Sequence, residues 1–395
     1  MAFFVQHGYG KSDKITRGIQ AGHLQGVIMS PRDEDPVNLQ SYVASLRQEF
    51  SNIPIIFDTQ FYVTTVSPVK EGNLSSYPYY HAGLTRGDFI APADIGRYIR
   101  ESIDYQMQLP LSYLVSPTVL FDDFQDPWSQ IALSMAQESI AYQANLRGAP
   151  PLLISLVFSE TALRSADRMG EFLDIISVFQ AAGFYIILRR SNDHYTTQMD
   201  SSTLQNLLYM TYALAELNSF EVIYGYTDIM GILLHVVGAA ATACGWFNSL
   251  RQFSLSRFQP STGGRPARDR YTSIPLLNSI LVIPELDSIY RSGLIDEVLT
   301  ATSYDGILRT DPANAPWTKD ISYLHHWNAV QQAIGQVATG TIGQRLNSML
   351  EMIARARAIY ARLEQGAVAF EPYSNSAHLE QWQRAIQNFR TDTSI

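Results

Sequence analysis

Acidic residues stand directly after apolar runs at several points of this chain, and catalysis would begin there. The segment TVLFDDFQDPW, residues 118–128, places Val119, Leu120 and Phe121 in what reads as a buried strand ending in two adjacent carboxylates, Asp122 and Asp123. A buried carboxylate without partners is costly, so the pair is expected at the strand's mouth. The pattern recurs in Ser30, Arg32 and Asp33 of MSPRD, Asp58 and Gln60 of IIFDTQFY, Ser159 and Glu160 of LVFSE, Arg189 and Arg190 of ILRRSND, and Tyr226 and Asp228 of YGYTD. Carboxylates from several strand ends that converge in one pocket suit general acid/base work or hydrogen bonding to a polar heterocycle. Taken singly, each suits a rim salt bridge with Arg189 or Arg190 about as well. Asp58 and Asp122 taken together point to function.

Strand-like runs alternate with segments of helical period, which is the signature of βα units and a parallel sheet. Phe3–Gln6, Gly26–Ser30, Ile53–Phe57, Thr118–Phe121, Leu152–Phe158, Phe184–Leu188 and Phe220–Tyr224 read as strands, with an eighth expected near Leu281–Pro284 and an apolar helix expected from Ile229. No glycine-rich dinucleotide turn follows the first strand, so an α/β (β/α)8 TIM barrel is favoured over an open doubly wound sheet. In such a barrel the active site lies at the C-terminal ends of the strands, where these polar residues fall. From about Ile321 the pattern changes to amphipathic helices without intervening strands. The expected organisation is a barrel domain over 1–315 and a helical C-terminal extension over 316–395.

The chain has 395 residues, 46% of them hydrophobic, enough for one barrel-sized core plus an extension. Its formal net charge of -9 argues against coating nucleic acid through an overall field, so any polyanion site must be local. One such local reversal is RQFSLSRFQPSTGGRPARDRY, where Arg251, Arg257, Arg265, Arg268 and Arg270 are interleaved with Phe253, Phe258 and Tyr271. Arginines with aromatics suit phosphate contacts and base stacking, and a solvated loop paired with the protein's own acids is the plainer reading. The single cysteine, Cys244, excludes an intramolecular disulfide and a multi-cysteine zinc site. It lies in an apolar segment, where a thiol is usually inert. The N-terminus does not read as a signal peptide and no segment reads as a membrane span, so a cytoplasmic location is expected. Gly10-Lys11-Ser12 lacks the first glycine of a phosphate-binding loop, since Val5 stands there. His325 and His326 have no second ligand cluster near them in sequence, so structural roles are expected and no metal.

With these residues assembled, the chain resembles the tRNA-guanine transglycosylase superfamily, including its relatives that insert deazaguanines into DNA. IIFDTQFY resembles the SDSGGFQ-type strand end and places an essential aspartate on Asp58; VLFDDF resembles the AFDE-type motif, placing base recognition on Asp122 with Asp123 as the neighbouring acid. VIYGYTD resembles the LMGVG-type strand end, and SYLHHWNAVQQAIGQVATGTIGQRLNSMLEMIARARAIY resembles the closing helices. The family's zinc cysteines are absent from GILRTDPANAPWTKD, and Gly343 stands where a zinc histidine is expected, so neither zinc nor another cofactor is implied. The family's nucleophilic aspartate falls among Ala243, Cys244 and Gly245, where there is no carboxylate. The resemblance implies binding of DNA or tRNA and of a purine-like base, with exchange or cleavage of the N-glycosidic bond. Taken with the strand-end residues and the arginine run, it gives catalysis to Asp58, Asp123 and Asp228, the base to Asp122, Gln60, Glu160 and Tyr226, and the nucleic-acid backbone to Asn248, Arg251, Arg257, Arg265, Arg268 and Arg270, of which the resemblance itself carries Asp58, Asp122, Asp123, Asn248 and Arg251. The missing attacking group leaves three routes: another nucleophile (Cys244 or Asp228), water with Asp58 as general base, or base binding alone. A glycoside hydrolase using Asp58, Asp122 and Glu160, and a nucleic-acid-binding or assembly subunit without chemistry, are the alternatives. The long closing helices make a homodimer or a partner protein an expectation.

Overall fold

Nine short parallel strands carry the β-branched and aromatic runs of the sequence: β1 (Ala2–Gln6), β2 (Gly26–Met29), β3 (Ile55–Phe57), β4 (Leu114–Val115), β5 (Leu120–Phe121), β6 (Leu152–Ser159), β7 (Gly183–Arg189), β8 (Glu221–Gly225) and β9 (Ala241–Cys244). They belong to a computed structural model that describes residues 1–10, 12–192, 195–260, 263 and 268–395. The sheet order is β3-β2-β1-β9-β8-β7-β6-β4, with β5 also paired to β6, so β1 and β9 join the two ends of the chain's strand series. The ring closes between β3 and β4, where the Ser112 N–H donates to the Ile55 carbonyl at 2.9 Å. This is a TIM barrel of eight staves, since β4 and β5 are one stave: Leu114 pairs with Leu152 and Leu120 with Val157, a step one residue shorter on β6. The extra residue is a bulge around Pro117, which has no N–H to offer a ladder.

The helices α1 (Lys14–Gln20), α2 (Pro36–Glu49), α3 (Pro92–Gln106), α4 (Pro127–Gln143), α5 (Ala166–Ile176), α6 (Ser201–Tyr212) and α7 (Gly231–Val236) connect successive staves. Three start on an aspartate cap, and in α2 and α4 a proline follows at the first helical position, where its missing N–H costs nothing. The cap of α4 explains the acidic end of β5: Asp126 accepts from Ser129 N at 2.7 Å and from the N–H groups of Asp122 and Asp123 at 3.0 and 3.2 Å.

The eighth stave is β9 and not the segment near Leu281–Pro284. Residues Asn278–Leu281 form β11, antiparallel to β10 (Arg270–Ser273), in a separate two-stranded sheet. The alanine-rich ATAC of β9 has weak strand propensity, while NSIL leading into VIP has the β-branched look of a core strand. Both segments are fully buried, and it is parallel pairing with β1 and β8 that places β9 in the ring.

After short helices α8 (Asp287–Arg291) and α9 (Ile295–Val298) come α10 (Lys319–Val337), α11 (Ile342–Gln365) and α12 (Ala377–Thr393). Helix α10 packs on β1, β10 and α7, and α12 on α6 and α11. Val5 of the barrel, Trp327 of α10 and Trp382 of α12 belong to one continuous buried cluster. The indole of Trp382 donates to the Thr197 carbonyl at 3.2 Å, pinning α12 to the loop after β7. No helix among the described residues is long and apolar enough to cross a membrane.

Candidate active site at the barrel mouth

Alternation along the strands decides which side chains enter the barrel axis. On β7 this puts Tyr185 inward, and its hydroxyl lies 3.3 Å from Asp58 Oδ2 at the end of β3. Tyr62 donates to the same oxygen at 3.0 Å, and the Gln60 N–H donates to Oδ1 at 3.1 Å. Asp58 is 1% exposed. Burial pushes its carboxyl up to about 6, against the opposing pull of these donors and of the Arg257 guanidinium. It is a carboxyl that exchanges its proton near neutral pH, as acid/base catalysis requires.

Gln60 joins Asp58 to the rest of the cluster. Its Nε2 donates to Ser30 Oγ at 2.8 Å and to the Tyr226 hydroxyl at 3.2 Å, and its Oε1 accepts from Arg32 N at 3.1 Å. Gln60 and Tyr226 both hold left-handed backbone, φ 52° and 54°. Non-glycine residues rarely adopt that conformation, and strain of this kind concentrates at functional sites. Arg257 donates to the Tyr226 hydroxyl at 3.0 Å and is ion-paired with Asp33, whose other oxygen takes Arg32 at 3.0 Å. Burial, partly offset by Arg257, pushes the Tyr226 phenol up to about 12, so it stays neutral while accepting from Gln60 and Arg257. Gly225 leaves room for this arrangement, since a Cβ there would lie 2.4 Å from the Tyr185 hydroxyl.

The cluster is roofed by the residues after β9. Phe253 packs against Tyr62 and Tyr226 with ring centroids 5.4 and 5.3 Å apart, and Phe258 lies 6.2 Å from Tyr62. Phe253 also bridges to Arg189, tying the roof to the end of β7.

The other sequence candidates lie elsewhere. Asp122 does not meet Asp58: its side chain is 66% exposed, accepts from the Ser159 hydroxyl and lies 3.4 Å from Arg189. Asp123 pairs with Arg168 at 2.6 Å and accepts from Gln125 N, so it is a loop and rim residue and does not flank Asp58. Burial alone would raise the Glu160 carboxyl, but Arg190 at 2.6 Å and the Ser191 N–H hold it below the usual range. That is the rim salt bridge, and it occupies the group expected to bind a base. Gln60 and Tyr226 do enter the site, but as scaffold, with their polar atoms bonded to the protein. Asp228 turns away from the axis toward α10, where Oδ1 lies 3.0 Å from His326 Nε2.

The expected backbone-binding arginines are largely internal. Arg257 is inside the cluster, Arg251 is buried beside Asp228, Arg270 donates to the Ser279 carbonyl at 2.6 Å and to Ser374 Oγ, and Arg268 pairs with Glu371. Asn248 is exposed and opens a short 3-10 turn. Arg265 lies outside the described residues. The chain's own carboxylates and carbonyls take up Arg257 and Arg270 inside the fold and Arg268 at its surface. Tyr62, Tyr185 and the pairing of Arg257 with Asp33 were missed; the inward period Tyr185, Ile187, Arg189 was the available signal for Tyr185.

No protein-family model and no curated protein matches the chain. Among solved structures it is similar to a mutant of the O-GlcNAc hydrolase of Thermobaculum terrenum, at 11% identity over 99% of this chain and 95% of that one, with a TM-score of 0.37. It is also similar to the dihydrodipicolinate synthase of Oceanobacillus iheyensis, at 10% identity over 95% and 99% of the two chains, with a TM-score of 0.26. Likeness at this level does not extend to a site or an activity.

Proposed function

We propose that the barrel mouth acts on a glycosyl bond, with Asp58 as the group that moves the proton. The observation that carries this reading is the Asp58 carboxyl itself: buried, held by two phenols and a backbone N–H, and poised at about 6 at the C-terminal end of a barrel strand. Water activated by Asp58 attacks the anomeric carbon, the bond to the leaving group breaks, and the leaving group departs with the bonding electrons. The neutral phenols of Tyr62 and Tyr185 hold the carboxyl, and with Tyr226 they exclude bulk water.

The resemblance to the transglycosylase superfamily supports a purine-like base as the leaving group, with exposed Asp122 on the rim as its hydrogen-bond acceptor. With no carboxylate at residues 243–245, hydrolysis suits this chain better than covalent exchange. The burial of Arg251 and the internal bonding of Arg257 and Arg270 favour a small glycosyl compound over a long polyanion. Substrate reaches Asp58 only when Phe253, Phe258 and Arg257 lift away. That closed roof also favours a second reading, a barrel kept as a binding or assembly subunit.

Incubation of the protein with nucleosides, single-stranded and duplex DNA, tRNA and aryl glycosides, with released products followed by mass spectrometry, separates these readings. Release of a free base, lost in Asp58→Asn, supports the proposal. Sugar release from aryl glycosides alone moves the substrate class to O-glycosides, and no release from any of them in the wild type overturns the enzymatic reading.

A further inference from the structure

Outside the barrel axis, at the C-terminal ends of β8 and β9, three side chains that are far apart in sequence meet under α10. Asp228, Cys244 and His326 are 5%, 0% and 0% exposed. Their potential ligand atoms, a carboxylate oxygen, Sγ and an imidazole nitrogen, all lie within 4.8 Å of one another. His326 Nε2 is 3.0 Å from Asp228 Oδ1 and 3.2 Å from Cys244 Sγ, while Nδ1 lies 2.7 Å from Thr272 Oγ1.

A hydrogen-bonded relay does not account for this geometry. In a Cys-His-Asp relay the acid and the thiol use opposite nitrogens of the ring, whereas here both face Nε2. One proton on Nε2 serves one of them. Among the described residues neither oxygen of Asp228 has a hydrogen bond of normal geometry; against the push of burial, the His326 ring, the Arg251 guanidinium and the Tyr195 hydroxyl lie around it and hold the carboxyl below its usual range. A cation at the point where the three atoms converge satisfies all of them. For a tetrahedral ion with metal–sulfur bonds of about 2.3 Å and metal–nitrogen and metal–oxygen bonds of about 2.0–2.2 Å, neighbouring ligand atoms sit about 3.3–3.6 Å apart. The observed 3.0 and 3.2 Å lie within a few tenths of an ångström of that. Thr272 fixes the ring from the far side, the usual support of a metal-bound imidazole.

We propose that Asp228, Cys244 and His326 form a binding site for a divalent transition metal of the zinc class. Mixed sulfur, nitrogen and oxygen ligation in a compact tetrahedral setting selects zinc over magnesium or calcium. Binding displaces the thiol proton of Cys244 to solvent and takes the Nε2 lone pair of His326. Beside Asp228 a small cavity lined by Tyr195, Thr227 and Arg251 has room for about one water. The ion would tie the ends of β8 and β9 to α10, joining barrel wall to closing helices.

The test uses the full chain, purified without chelator from zinc-supplemented medium, with metal content measured by mass spectrometry. The apoprotein is then titrated with cobalt(II) as a spectroscopic probe. One equivalent of zinc and a thiolate-to-cobalt charge-transfer band are expected, with the band lost in Cys244→Ser and stoichiometric binding lost in Asp228→Asn. Asp58→Asn should keep both, which separates this site from the proposed catalytic one. Absence of stoichiometric zinc and of the band in the wild-type protein overturns the proposal whether or not the variants fold. A band that survives in Cys244→Ser overturns it as well.

Discussion

Asp58→Asn should make the protein more stable at neutral pH. The carboxyl's ordinary value is 3.8 and the fold raises it to about 6. A group whose folded value is raised binds its proton more tightly in the native state, so the stability linked to it is fully present below pH 3.8 and is lost as pH rises through 6. At about 1.4 kcal/mol per pH unit, the native state gives up about 3 kcal/mol by pH 7 to keep Asp58 ionised in its buried site. Asparagine imitates the protonated form: its oxygen accepts from the Gln60 N–H, its NH2 donates to the Tyr62 or Tyr185 hydroxyl, and it has no charge to desolvate. The variant should therefore gain about 3 kcal/mol at pH 7.5, a rise in Tm of about 4 °C for a chain of this length. The advantage should shrink below pH 6 and vanish near pH 4. Thermal and urea unfolding of both proteins across pH 4 to 8 measures this. A variant less stable than the wild type at pH 7.5, or a difference that does not change with pH, would refute the argument that desolvation dominates at Asp58. Stability gained where activity is lost is the expected mark of a residue kept for chemistry.

Three further outcomes follow from the same cluster. If Asp58 works as a base, turnover should be level above pH 7 and fall about tenfold per pH unit below 6; a pH–rate profile that rises toward acid would assign it the role of acid instead. Arg257→Ala leaves Asp33 buried with Arg32 alone and should destabilise by about 3–5 kcal/mol in urea unfolding, with most of that recovered in the double variant Arg257→Ala/Asp33→Asn. Gly225→Ala drives a methyl into the Tyr185 hydroxyl 2.4 Å away and should destabilise by about 1–3 kcal/mol while disturbing the Asp58 pH profile.

The barrel was legible because its signal is periodic and repeated. Seven of the eight staves announce themselves as apolar runs, and the polar residues after them fall at the mouth as parallel topology demands. What misled was local. β9 is a four-residue alanine-rich strand that follows a more apolar helix, so sequence propensity favoured 281–284. Asp58 was legible as one of several acids directly after an apolar run, here IIF. Asp122 and Glu160 looked the same in sequence, but β5 and β6 end further out, where Arg189 and Arg190 pair with them. The arginine run could not be resolved into internal and external residues, because that depends on carboxylates more than a hundred residues away, such as Asp33 for Arg257 and Glu371 for Arg268. For the same reason His326 had no visible ligand neighbours: Asp228 and Cys244 reach it only through the ring of strands and the return of α10.

The pairing of β1 with both β2 and β9 has a consequence for how the chain is made. Residues 2–6 obtain their first neighbour within about twenty residues, but their second, Ala241–Cys244, only after most of the chain exists. At about 5–20 residues per second of synthesis, the open edge of the first strand waits roughly ten to fifty seconds on the ribosome before the ring can shut. An unpaired apolar edge held that long recruits other strands. Yield in a cell should therefore depend on chaperone supply and translation rate far more than the finished barrel's stability suggests.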